Sequence, residues 1–319
     1  MGGIIEVQHL KKYFNTSSGT LHAVDDVSFE IQEGETLGVV GESGCGKSTL
    51  GRVILHLLDS TDGKILFHGE DITHVNRKKM SELRKSMQII FQDPFASLNP
   101  RMTIYQTIRE PMDIVGGFSK EEVEKRVYEL MDTVGLARRL VNTYPHELDG
   151  GRRQRVGIAR ALVLNPKFIV CDEPVSALDV SIQAQILNLM QDIQEASGLT
   201  YIFITHDLSV VKYISNNILV MYLGQMVEKA ESDALFRTPL HPYTKALLSA
   251  VPIPDVHHKK QRIALKGELT SPIDPPDGCR FASRCPYAKE KCFKENPQAE
   301  TVGQNHMVAC HYVHEINQI

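Results

Sequence analysis

The sequence predicts an α/β fold built on a parallel sheet, and three observations predict it. Short runs rich in Val and Ile alternate with helix-like segments from residue 1 to about 230, a glycine-rich loop joins one such run to a helix, and another run ends in two adjacent carboxylates. Strands are expected at Ile4 to Val7, Val27 to Ile31, Thr36 to Val40, Met87 to Phe91, Phe168 to Cys171, Thr200 to Thr205 and Ile218 to Tyr222. Ile182, Ile186, Leu189, Met190 and Ile193 recur at helical spacing, so that segment buries one face. A second helix opens on Ser119 and Glu122 as a capping box and repeats apolar residues at Val123, Val127, Leu130, Met131 and Val134. Residues 93 to 150 lack strand-like runs and read as a helical insertion. After about Phe236 the texture changes to Pro and His punctuation, with one short helix near Tyr243 to Ala250. A boundary there divides residues 1–235 from a small, irregular, Cys-rich extension at 236–319.

Composition narrows the function. The 319 residues are 42% hydrophobic and 23% charged, which excludes disorder and coiled coil. With 35 basic against 39 acidic residues the net charge is −4, so no nucleic-acid partner held by bulk charge is expected. The most apolar runs, Phe168 to Cys171, Tyr201 to Thr205 and Ile218 to Leu223, fall far short of the roughly 20 residues of a spanning helix. The start, Met1 to Glu6, has no signal-peptide layout, so a cytosolic chain with reduced thiols is expected.

Gly41-Glu-Ser-Gly-Cys-Gly-Lys-Ser-Thr49 fits the phosphate-loop pattern, between a strand ending at Val40 and the apolar helix Leu50 to Leu58. Gly41, Gly44 and Gly46 let the backbone N–H groups of the loop, including those of Ser43, Cys45 and Thr49, curl round phosphate oxygens. Lys47 neutralises the outer phosphates and Ser48 supplies an oxygen to Mg²⁺. Further on, Phe168-Ile-Val-Cys-Asp-Glu173 puts two carboxylates at a strand end, where burial gains nothing from charge unless an ion or donor answers it. Asp172 suits Mg²⁺, and Glu173 suits a general base that polarises the attacking water. His206, at the end of Tyr201-Ile-Phe-Ile-Thr-His206, can donate to the γ-phosphate.

With these residues in order, the chain resembles ABC-transporter ATP-binding subunits, P-loop NTPases with a RecA-like core, and more closely those of bacterial oligopeptide, dipeptide and nickel importers. Seven ordered matches carry the resemblance: Tyr13 at the adenine-stacking position, the loop Gly41 to Thr49, Gln92, Leu148-Asp149-Gly150-Gly151-Arg152, the Asp172 and Glu173 pair, Ser176-Ala-Leu-Asp179, and His206. Phe14 is an equally good stacking surface beside Tyr13. Gln92-Asp-Pro-Phe-Ala-Ser-Leu-Asn-Pro-Arg101, His241-Pro-Tyr-Thr244 and the Cys-rich tail mark the peptide branch. The resemblance implies an ATPase on the cytoplasmic face of the membrane that energises di- and oligopeptide import. It pairs with a second ATPase subunit as a heterodimer, beside two transmembrane permeases and an extracytoplasmic binding protein. Each ATP lies between the phosphate loop of one subunit and the signature of the other, and Gln92 contacts Mg²⁺ and water. Nickel or a metal chelate is the alternative cargo; a soluble ABC ATPase would need a coiled-coil insertion or tandem cassettes, and neither is visible.

The family's signature usually reads Leu-Ser-Gly-Gly-Gln, whereas this chain has Asp149 and Arg152 in place of Ser and Gln. A carboxylate facing the partner's γ-phosphate repels it by about 1 to 4 kcal/mol for unit charges about 4 Å apart at effective dielectric constants of about 80 to 20. Asp is also a good helix N-cap. Two unequal ATP sites are therefore expected. Cys279, Cys285, Cys292 and Cys310 crowd the end of the chain, and spacing alone does not choose between zinc and iron–sulfur. Likeness to importer ATPases whose extension carries a [4Fe-4S] cluster favours iron, with His306 and His311 as possible substitute ligands.

Overall fold

The computed structural model describes residues 2–251, 263–265, 267, 271–303 and 305–319. The chain forms two compact units, the first from residues 1–31, 36–73 and 205–319, the second from 32–35 and 74–204.

In the first unit an antiparallel sheet runs in the order Gly19–Ile31, Ile5–Thr16, Asp62–Phe67, Glu70–Asp71. Its first two strands are much longer than the apolar runs that announce them. The register shifts between Val7 and Leu10 and again between Leu10 and Lys12, with His9 at φ 48°, so the alternation that marks a strand is broken while the pairing continues. A second group of strands contains Thr36–Val40, buried throughout and parallel to Asn217–Tyr222. The latter pairs antiparallel with Gln225–Glu231, which in turn pairs with Met307–Val308. Residues of the extension complete this core: Tyr243 and Phe281 pack with Val220, Tyr222 and Leu235. The helix expected near Tyr243 to Ala250 spans Pro242–Ala250.

In the second unit Met87–Ile90, Phe168–Asp172 and Thr200–Ile204 form parallel pairs, and the last two are buried along their whole length. Burial on both faces explains why these runs are continuously apolar. The expected helical insertion contains Pro94–Ser97, Ile104–Val115, Lys120–Thr133 and the start of Gly150–Leu162. The Ser119 capping box forms as expected: Ser119 Oγ accepts from the Glu122 N–H at 3.2 Å and Glu122 Oε2 accepts from the Ser119 N–H at 2.7 Å. Val123, Val127, Leu130 and Met131 make the buried face of that helix. Among the described residues no helix is long and apolar enough to cross a membrane.

Candidate nucleotide site

In the first unit the strand Thr36–Val40 delivers the chain into the glycine-rich loop, and the helix Lys47–Ile54 receives it. Gly41, Gly44 and Gly46 take φ of 153°, 78° and 101°. At Gly46 a Cβ would fall 1.9 Å from the Ala23 carbonyl oxygen, and at Gly41 2.2 Å from that of Met221, so close backbone approach demands glycine at both. Lys47 is 5% exposed, and its Nζ donates to the carbonyls of Gly41 at 2.8 Å and Glu42 at 3.0 Å, arching back across the loop. Ser43 is exposed at the loop's rim, while Ser48 and Thr49 are half-buried on the first helical turn. Burial pushes the Cys45 thiol up, which keeps it neutral within the loop.

His206 also belongs to this unit and is exposed. Its neighbour Thr205 donates its backbone N–H to Val39 at 3.2 Å, which ties the His206 turn to the strand that feeds the phosphate loop. Tyr13 stacks on His22 with ring centroids 4.0 Å apart and planes 22° apart, and its hydroxyl donates to Asp25. Phe14 instead lies under the Lys12 ammonium, 4.9 Å from the ring centre.

In the second unit the buried strand Phe168–Asp172 ends on Asp172, 2% exposed, and the chain turns at Glu173 with φ 47°. A left-handed glutamate costs roughly 1 to 2 kcal/mol, so the surroundings must hold it. They do: its N–H donates to Ile204 at 2.9 Å and its carbonyl accepts from Ser176 Oγ at 3.1 Å. Gln92 Nε2 donates to Glu173 Oε2 at 2.8 Å, so two residues picked out separately in the sequence meet.

Asp149 caps the helix Gly150–Leu162, with Oδ1 accepting from the Arg152 N–H at 2.8 Å and Oδ2 lying 3.2 Å from Arg152 Nη1. A Cβ on Gly151 would approach Ile182 Cγ2 to 2.7 Å, which explains the small residue there. Asp179 precedes the helix Val180–Ser197 and makes no side-chain cap bond.

The His241-Pro-Tyr-Thr244 motif is explained locally. His241 is buried, its Nδ1 accepts from the Tyr243 N–H at 3.1 Å, and the N–H groups of Leu240 and His241 donate to the fully buried Glu228 at 2.7 and 3.0 Å. His306 Nε2 lies 2.7 Å from the same carboxylate, so it serves this buried network rather than a metal. His311 Nε2 lies 2.8 Å from the Glu295 carbonyl.

The expected metal centre on Cys279, Cys285, Cys292 and Cys310 finds no support. Among the described residues no group of three or more His, Cys, Asp or Glu is arranged to hold a metal ion, and all four thiols are free. Burial pushes the Cys279 thiol up to about 12, and it raises those of Cys285 and Cys310 as well, with neighbouring cysteines acting in the same direction. The segment's clear contacts are made by its arginines, which the sequence did not single out: Arg284 on Glu42 and Arg280 on Asp25.

Comparison with known proteins gives the family. Residues 24–176 match the ABC transporter family, and residues 227–292 match the oligopeptide/dipeptide transporter C-terminal region. The oligopeptide transport ATP-binding protein AppF of Bacillus subtilis is 52% identical over 318 residues, 97% of each chain. The oligopeptide transport ATP-binding protein OppF of Salmonella typhimurium is 52% identical over 319 residues, 96% of this chain and 95% of that one. Among solved structures, an ATP-binding cassette in a dimeric post-hydrolysis state with ADP and Pi superposes with a TM-score of 0.66 at 28% identity, covering 72% of this chain and 98% of the other. The chain therefore belongs to the ABC transporter ATP-binding subunits, in their oligopeptide/dipeptide branch, and is an ATPase.

Proposed function

We propose that this subunit hydrolyses ATP to energise uptake of di- or oligopeptides, at the cytoplasmic face of a membrane complex with a second ATPase subunit, two permeases and an extracytoplasmic binding protein. The observation that carries the peptide reading is the double match within one chain, a cassette followed by the oligopeptide/dipeptide transporter region. In this reading the loop Gly41 to Thr49 binds the phosphates, Lys47 offsets their charge, and Tyr13 stacks the base. Glu173 takes a proton from the attacking water, Gln92 orients Glu173 through their shared hydrogen bond, and His206 donates to the γ-phosphate. Ser48 in the first unit, and Gln92 and Asp172 in the second, each carry a hard oxygen donor of the kind Mg²⁺ takes, and Mg²⁺ would neutralise phosphate charge when bound.

Asp149 makes the two ATP sites of the complex unequal. The site that uses this chain's Lys47 and Glu173 takes its signature from the partner and turns over, whereas the site completed by Asp149 is slow. Reconstitution in proteoliposomes with the partner subunits tests the function. ATPase activity stimulated by peptide-loaded binding protein and lost in Lys47→Ala is expected. Stimulation by a nickel chelate and not by peptide would move the cargo to the metal-chelate alternative.

A further inference from the structure

Between Cys279 and Cys285 the chain reads Cys-Arg-Phe-Ala-Ser-Arg-Cys, and both arginines are buried, with side chains 6% and 9% exposed. Phe281 anchors the segment against Tyr222 and Tyr243, with ring centroids 5.2 and 5.4 Å away. On one side of this anchor Arg284 forms a two-pronged ion pair, Nη1 to Glu42 Oε2 at 2.8 Å and Nη2 to Glu42 Oε1 at 3.2 Å. The Glu42 N–H donates to the Tyr243 hydroxyl at 3.0 Å, so a residue of the phosphate loop is held by the extension at both its side chain and its backbone. On the other side Arg280 donates to the Leu223 carbonyl and to Asp25 Oδ2, and its Nη2 lies 3.3 Å from His22 Nδ1. Asp25 receives the Tyr13 hydroxyl, and His22 stacks on the Tyr13 ring. The two arginines thus grip the two places where a nucleotide's ends are expected.

A loop with three glycines at positive φ loses much backbone freedom when it closes on phosphate, so an outside restraint that orders it beforehand raises affinity. A forked guanidinium on a carboxylate is suited to this, because its geometry is fixed as well as its charge. We propose that Arg284 and Arg280 are positioning residues for the nucleotide, Arg284 setting the phosphate loop through Glu42 and Arg280 setting Tyr13 through Asp25. The C-terminal extension then controls nucleotide affinity from within one short segment. This rests on the reading that the loop binds phosphates and Tyr13 stacks the base.

The test is calorimetry on the full chain with Mg-ATP and with Mg-tripolyphosphate, which lacks the base. Wild type that binds neither would overturn the reading of the loop itself, a result distinct from those below. Arg284→Gln should weaken both ligands by about tenfold, the loss of one charge-assisted pair, and should cost nothing further in a Glu42→Gln background. Arg280→Gln should weaken ATP by a similar factor and leave tripolyphosphate within about twofold. Wild-type affinities in Arg284→Gln, or an equal loss in the Glu42→Gln background, would overturn the phosphate arm. Equal losses of both ligands in Arg280→Gln would overturn the base arm. Should either Gln variant fail to fold by thermal melting, Arg284→Lys and Arg280→Lys replace them; each keeps the charge without the fork and should show the same ligand pattern at smaller size.

Discussion

Asp149 caps a helix in the structure and carries a charge in the proposed complex, and one substitution can separate the two effects. As N-cap, its Oδ1 takes the Arg152 N–H at 2.8 Å, and removal of such an acceptor costs about 1 kcal/mol. Its ion pair with the Arg152 side chain adds less than about 1 kcal/mol, because both groups are more than half exposed (59% and 54%). Asp149→Ala should therefore lower the melting temperature by about 2 to 4 °C, whereas Asp149→Ser keeps a capping oxygen and should melt within about 1 °C of wild type. As a charge, Asp149 faces the partner's ATP in the proposed complex. A repulsion of about 1 to 4 kcal/mol corresponds to about fivefold to several hundredfold, and the neighbouring Arg152 places the effect toward the lower end. Asp149→Ser should therefore raise ATP turnover of the assembled transporter with no change in stability. Identical melting of the Ala and Ser variants would refute the capping argument. Unchanged turnover in Asp149→Ser would refute the electrostatic one.

Glu173→Gln should lower ATPase activity of the assembled transporter at least about a hundredfold while calorimetry still shows ATP binding, since only proton removal from water is lost. Loss of binding together with turnover would assign Glu173 a structural part instead. Gly46→Ala should abolish nucleotide binding in a chain that still shows native secondary structure by circular dichroism, because the added methyl meets the Ala23 carbonyl at 1.9 Å in a left-handed backbone. Burial lowers the His241 pKa to about 4, so the folded chain binds fewer protons than the unfolded one between that value and the ordinary one near 6.5. This histidine's contribution is present above about pH 6.5 and is lost as pH falls toward 4, by at most about 3 kcal/mol. In urea melts at pH 7 and pH 4.5, His241→Asn, which keeps a capping acceptor, should lose less stability on acidification than wild type; equal losses would show that His241 is not the titrating group.

The parts of the site legible in sequence are those whose chemistry is local. Gly41, Gly44 and Gly46 are dictated by backbone angles and by the carbonyls of Ala23 and Met221, so their spacing alone announces the loop. Strands buried on both faces, such as Phe168–Asp172, announce themselves by continuous apolar runs. Ile5–Thr16 and Gly19–Ile31 do not, because the bulges near His9 shift side chains between faces while leaving the pairing intact. The four crowded cysteines are the reverse case: their number suggests a metal, but ligation depends on how the thiols are arranged in space, which spacing does not encode.

The arginines between those cysteines were silent for a different reason. Arg284 reaches a partner 242 positions away and Arg280 one 255 positions away, and no pattern within a window of sequence distinguishes a buried, paired arginine from a solvated one. Burial itself makes the distinction. A guanidinium withdrawn from water must find a carboxylate, and a carboxylate in a nucleotide-binding loop must find a cation if it is not to repel the phosphates beside it. Glu42 sits among the variable positions of the phosphate-loop motif, where, in the proposed reading, a negative charge works against phosphate binding. Arg284 answers that charge. The extension thus pairs with a residue more than 200 positions earlier, and any chain that keeps Glu42 while losing Arg284 should bind nucleotide less tightly than one that loses both.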